Sequence, residues 1–133
     1  MIIGVGIDIV DAGRISALLN KHGERFQQRV FTREEILYCR RMRDPSLHFS
    51  ARFAAKEAAY KCQFPRSRQL LEFTDLRLDA LRADAATLRF TRAVPPYAAG
   101  AVLPVRLARA EGLVIAACAD PLPGPAGAAD ASG

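Results

Sequence analysis

Three features of the 133-residue chain predict an α+β fold: a β-branched run at the start, a helical middle, and four short alternating stretches toward the end. Helices are followed by strands, without a repeating βαβ pattern. Half of the chain is apolar, and its length suits one domain with a sizeable core. That domain is read as 1–120. The remaining 121–133 is Pro, Gly, Ala and Ser with one Leu and one Asp, buries little, and is expected to be a disordered tail.

The first strand covers Met1 to Val10, where Ile2, Ile3, Val5, Ile7, Ile9 and Val10 surround Gly4, Gly6 and a single acid, Asp8. Asp11 to Gly23 follows as a short helix, with Ile15, Leu18 and Leu19 on one side and Gly23 as its stop. Thr32 with Glu35 is a capping-box pattern that opens a helix through about Arg41. A longer helix runs from about Ser46 to Cys62, capped by Asp44 or Ser46, with Pro45 tolerated in its first turn and Pro65 ending it. Strand-like stretches follow at Asp75 to Asp79, Thr87 to Thr91, Val102 to Leu107 and Leu113 to Ala119, with alternation such as Leu76, Leu78 and Leu88, Phe90.

Charge is unevenly spread. The net charge is +5, and between Arg14 and Arg68 thirteen Lys or Arg face five Asp or Glu. Such a region fits an acidic partner. Nucleic acid is not expected, because no helix-turn-helix, zinc spacing or aromatic RNA-binding motif accompanies the charge. Cys39, Cys62 and Cys118 are odd in number and too widely spaced for a zinc knuckle, which fits a reducing cytoplasm. Neither a signal peptide nor a membrane span is expected, since no basic region precedes the first apolar run and no stretch approaches the length of a span.

The decade Arg52 to Lys61, Arg-Phe-Ala-Ala-Lys-Glu-Ala-Ala-Tyr-Lys, carries the chemistry. Phe53, Glu57 and Lys61 share one helical stripe, and Arg52, Lys56 and Tyr60 the next. Taken alone, Lys56, Glu57 and Lys61 read as the solvated edge of an amphipathic helix. Asp8 shifts that balance, because a carboxylate in an apolar strand is costly unless it meets a cation or hydrogen-bond donors. Asp8 and Glu57 are natural co-ligands for Mg²⁺, which proteins usually hold with one or two carboxylates, water and substrate phosphate.

Three ordered blocks, Gly4-Val5-Gly6-Ile7-Asp8-Ile9-Val10, Phe31-Thr32-Arg33-Glu34-Glu35 and Arg52 to Lys61, resemble the holo-acyl-carrier-protein synthase type of 4'-phosphopantetheinyl transferase over roughly the first half of the chain. The resemblance implies helices packed on an antiparallel sheet. It also implies transfer of the phosphopantetheine arm of coenzyme A to a serine of an apo acyl carrier protein, in fatty-acid, polyketide or peptide synthesis. By motif position, Asp8 and Glu57 would hold Mg²⁺, Lys56 and Lys61 would hold or polarise phosphate, and Arg52 would sit beside the phosphates. Arg14 takes the place of a carrier-contacting arginine, and Lys21, Arg25 and Arg29 would extend that surface. Glu57, a metal-bound water and Lys56 are all candidates for the base. The family usually assembles as a trimer, which would let one subunit supply the early aspartate and another the Lys-Glu helix.

The second half departs from the family. Its glycine-rich turn is replaced by Cys62-Gln63-Phe64-Pro65-Arg66-Ser67-Arg68, where Arg66 and Arg68 offer side-chain charge for phosphate. Its late Ser-His is replaced by Ala108-Arg109, and Arg109 can hold a phosphate or stack on adenine. The helix near Pro95-Pro96 looks shortened. These departures admit an alternative: the same scaffold redirected to another reaction or to a non-catalytic binding role, with the coenzyme A site lost.

Overall fold

A computed structural model describes residues 2–63, 71–79, 82 and 84–121. The chain runs through β1 (Ile2–Asp11), α1 (Ala12–Val30), α2 (Arg33–Arg40), α3 (Pro45–Gln63), a 3-10 turn (Phe73–Asp75), β2 (Leu76–Leu78), β3 (Ala85–Phe90), β4 (Val102–Ala110) and β5 (Leu113–Pro121). The strands form one antiparallel sheet in the order β1-β5-β4-β3-β2. α3 packs on β1 and β5, and α1 and α2 pack on α3. This is the α+β arrangement expected.

Local signals set the helix starts. The Asp11 carboxylate accepts from the Gly13 N–H at 2.8 Å and caps α1. Thr32 and Glu35 form the full capping box of α2. Asp44 accepts from the Leu47 N–H at 3.3 Å at the head of α3. Gly23 does break the helix, at φ 52° and ψ −129°, but the expected stop is a kink and the chain resumes helix to Val30. The reason is apolar continuity: Phe26 packs on the core beyond the break, as Leu18 and Leu19 do before it, and Val30 is buried. Around Pro95-Pro96 the chain makes a turn bridged by Val94 and Tyr97, in place of a shortened helix. Pro65, Arg66 and Arg68, and the tail beyond Pro121, lie outside the described residues.

The side of α3 facing the sheet is alanine, with Ala51, Ala54, Ala55, Ala58 and Ala59 all buried, so the helix approaches the strands closely. It comes nearest at β1. A Cβ on Gly6 would stand 1.9 Å from the Ala58 carbonyl oxygen, and one on Gly4 would stand 2.6 Å from that of Cys62. Neither glycine has a positive φ, so what demands glycine there is the helix backbone.

The opposite face of β1 points away from the helices. Val5, Ile7 and Ile9 are 61%, 57% and 60% exposed, and their register partners on β5 are Ala119, Ala117 and Ile115. An apolar band therefore runs along the outer surface of these two strands.

Gly6→Ala is expected to destabilise the fold by about 1–3 kcal/mol through overpacking, read as a lower urea midpoint. An unchanged midpoint would show that β1 and α3 do not need this separation.

Candidate active site

Alternation along β1 puts Asp8 on the same face as Gly4 and Gly6, beside α3, while β1 is also an edge strand of the sheet. Lys61, in the last turn of α3, reaches across. Its Nζ lies 2.7 Å from Asp8 Oδ1 and donates to the Ile7 carbonyl at 3.3 Å. Lys61's side chain is 50% exposed and Asp8's 14%. Glu57 sits one turn before Lys61. Its carboxyl is held above the ordinary carboxylate range by burial first and by the Asp8 charge second, with Lys61 opposing both. The Lys61 ammonium is in turn made more basic by its hydrogen bond to Asp8.

Two carboxylates and one ammonium thus meet between an edge strand and a helix of one chain. The early aspartate and the Lys-Glu helix are not divided between subunits, contrary to the expectation drawn from the resemblance. Lys61 compensates only one of two like charges. Such a pair suits a divalent cation that completes its shell with water and phosphate oxygens, as Mg²⁺ does with one or two protein carboxylates. Among the described residues no group of three or more His, Cys, Asp or Glu gathers as a metal cage.

Lys56 and Arg52 have other surroundings than expected. Lys56 Nζ is buried and donates to Glu35 Oε1 at 2.5 Å and to the Val30 carbonyl at 2.8 Å, so two of its three donors go to protein oxygens. Burial pulls its pKa down, and Glu35 opposes that. The Arg52 guanidinium lies 4.5 Å above the Tyr38 ring and donates to the His48 carbonyl at 3.1 Å, with Nε buried and unpartnered. In both cases the cause is α2, which covers this stripe of α3 with Glu35 and Tyr38. Glu35 is the residue that sequence reasoning missed. Its place in a capping box was legible, but its second task was not: Oε1 also accepts from Thr32 N–H, and Oε2 from Leu78 N–H at 3.0 Å.

Arg109, at the end of β4, pairs in register with Val114 and borders a cavity with Leu47, His48 and Ala51 at the head of α3. Burial, Arg52 and Arg109 together lower the His48 pKa, in that order. Glu57 lies nine residues further along the helix, about 13 Å at helical rise. Arg109 therefore stands apart from the Asp8–Glu57–Lys61 cluster of the same chain, while Arg52, five residues before Glu57, is turned to Tyr38 and the His48 carbonyl. Arg14, Lys21, Arg25 and Arg29 are exposed on α1, which begins just past Asp8.

On the flank of Glu57 away from β1 lies a cavity of about 280 Å³, lined by Lys56, Glu57, Tyr60, Leu71, Glu72, Phe73 and Leu76. A larger space of about 980 Å³, between α1, α2 and β3, holds none of the Asp8, Glu57 or Lys61 side chains. Among the described residues no helix is long and apolar enough to cross a membrane.

A family model described as the 4'-phosphopantetheinyl transferase superfamily matches residues 4–118. The holo-[acyl-carrier-protein] synthase of Protochlamydia amoebophila is 41% identical over 78 residues, 59% of this chain and 64% of that protein. The chain thus spans slightly less than two thirds of that relative's length. The crystal structure of holo-[acyl-carrier-protein] synthase from Neisseria meningitidis is 26% identical, with a TM-score of 0.70 over 91% of this chain and 100% of that one. That of Helicobacter pylori holo-[acyl-carrier-protein] synthase in complex with coenzyme A is 24% identical and shares the fold, with a TM-score of 0.71 over 87% of this chain and 99% of that one.

The raised Glu57 pKa has a direct consequence for stability. A carboxyl that binds its proton more tightly when folded gives its full stability below the ordinary carboxylate value, and that stability is lost as pH rises through the raised one. Glu57→Gln should therefore melt higher than the unaltered protein at pH 7, with the difference vanishing as pH falls below the ordinary value. Melting temperature against pH measures this, and a variant that melts lower at pH 7 would contradict the upward shift that burial and Asp8 impose on Glu57.

Proposed function

The chain belongs to the 4'-phosphopantetheinyl transferase superfamily, and from that premise we propose that it is a holo-acyl-carrier-protein synthase acting on coenzyme A and an apo acyl carrier protein. The observation that carries the reading is the meeting of Asp8, Glu57 and Lys61 in one chain. In the reaction, a serine oxygen of the carrier protein bonds to the pantetheine-side phosphorus of the pyrophosphate. The bridging P–O bond breaks, its electron pair leaves with adenosine 3',5'-bisphosphate, and the serine's proton passes to water. Such a transfer depends on positioning and on neutralising charge more than on covalent help from protein.

Asp8 and Glu57 are the ligands for Mg²⁺, which when bound would supply charge neutralisation and a template for the pyrophosphate oxygens. Lys61, half exposed and already oriented by Asp8, holds a phosphate oxygen and offsets charge on the leaving group. Lys56 contributes through Glu35, by fixing the helix that carries Glu57. Arg52 and Arg109 serve the nucleotide end. Because Arg109 stands apart from Asp8 within one chain, a neighbouring subunit would present it. The outward band of Val5, Ile7 and Ile9 supports a homotrimer, since assembly would cover it. Arg14, Lys21 and Arg25 suit the acidic surface of a carrier protein. Its compartment is the cytoplasm, a reading supported by the odd number and wide spacing of Cys39, Cys62 and Cys118.

Intact-mass measurement of an apo-carrier protein incubated with this protein, Mg²⁺ and coenzyme A should show the gain of one phosphopantetheine. Asp8→Ala and Glu57→Ala should each lower the rate by about 100-fold or more; undiminished transfer by both would remove the metal assignment. Ile7→Lys should dissociate the assembly in light scattering, and a variant of unchanged mass would exclude the β1 band from the interface.

A further inference from the structure

We propose that Cys62 and Cys118 are a thiol pair that hydrogen peroxide closes into a disulfide, and that this bond slows transfer by displacing the turn of α3 that carries Lys61. Cys62 lies in the last turn of α3, directly after Lys61, and Cys118 lies in β5, opposite Gly6 of β1. Although 56 residues separate them in sequence, the Cys62 thiol donates to Cys118 Sγ at 3.7 Å. Both side chains are buried, Cys62 slightly less so, at 6% against 1%. Cys39 is buried in α2, and burial above all pushes its thiol up to about 11, so it does not compete for oxidant.

The chemistry closes without a further reagent. Cys62 Sγ bonds to one oxygen of the peroxide as the O–O bond breaks, and the other oxygen leaves with the electron pair and takes up the Cys62 proton as water. Cys118 Sγ then attacks the sulfenic sulfur; the S–S bond forms as the S–O bond breaks, and the hydroxyl leaves with the Cys118 proton as a second water. Two thiols lose two electrons in all, and the peroxide is reduced by two. The hydrogen bond to Cys62, and then burial, hold the Cys118 thiol above its ordinary range, which gives the first step to Cys62. The effect on the site follows from packing. A disulfide needs the sulfurs at bonding distance, yet α3 has no room to sink toward β1, because the Cys62 and Ala58 carbonyls already stand against Gly4 and Gly6. Closure therefore turns the end of the helix instead of lowering it, and draws Lys61 away from its 2.7 Å contact with Asp8.

The crosslink is read on the full chain by mass, independently of the transferase reading; only its effect on rate rests on that reading. Protein treated with hydrogen peroxide, then unfolded, alkylated and digested, should yield a peptide pair joining Cys62 to Cys118, two hydrogens lighter than the separate peptides, with Cys39 alkylated. Given an apo-carrier protein and coenzyme A, the oxidised form should transfer at least about tenfold more slowly than the reduced form, since a misplacement of about 1 Å in such a site costs up to about 100-fold. Dithiothreitol should restore the rate, and Cys62→Ala should keep its rate through the same treatment. No linked pair, or a link to Cys39, overturns the pairing. A linked protein of unchanged rate overturns the switch, as does an equal loss of rate in Cys62→Ala. Reduced protein that transfers nothing overturns the transferase reading and the effect on rate with it, while the mass still decides the crosslink.

Discussion

The closeness of β1 to α3 is the constraint on which the rest of the site depends. Without side chains at Gly4 and Gly6, the strand lies against the backbone of the helix at Ala58 and Cys62. Asp8 is the next residue in the same row of β1, and Glu57 and Lys61 flank the contact on α3. Any larger separation would carry the strand carboxylate away from both. The alanines of α3 serve the same end, since they bury backbone against β1 and β5 with little side-chain bulk between. Two glycines and a row of alanines give up side-chain packing so that a charged cluster can form at the sheet edge.

The opposite side of α3 is held by charge. Lys56 and Glu35 are both buried, and their ion pair joins α3 to α2, while the Val30 carbonyl and the Leu78 N–H bring in the end of α1 and the edge strand β2. Every oxygen of that carboxylate has a donor. This satisfaction offsets the desolvation of the charges, and losing one partner would leave the other buried and unpaired at about 3–5 kcal/mol. The helix is thus pinned against rotation by close packing on one flank and an ion pair on the other, and Glu57 stands between them.

Much of this was legible because its signals are local. The capping box at Thr32, the cap at Asp44 and the alternation in β2 and β3 each depend on residues a few positions apart. That Asp8 must meet a partner was legible too, because an acid in a β-branched strand needs one wherever the strand lies, and Lys61 is there. The roles of Lys56 and Arg52 were not, since they turn on α2 lying over that stripe of α3, a tertiary fact without a sequence period. Helix periodicity groups Lys56 with Tyr60 and Arg52 but does not say which stripe is covered. Gly23 misled for a related reason: glycine reports a local break, whereas the resumption of α1 is driven by Phe26 and Val30 packing on a core the sequence does not display. The position of Arg109 depends on the register of β4 with β5, which likewise emerges only in the folded sheet.

Mn²⁺ binding followed by electron paramagnetic resonance in the presence of coenzyme A tests most directly whether the β1–α3 contact builds a divalent-metal site. The account predicts one bound Mn²⁺ per chain, lost in Asp8→Asn and in Glu57→Gln alike, because the two carboxylates act as one site. Equal Mn²⁺ binding by the unaltered protein and both variants would contradict it.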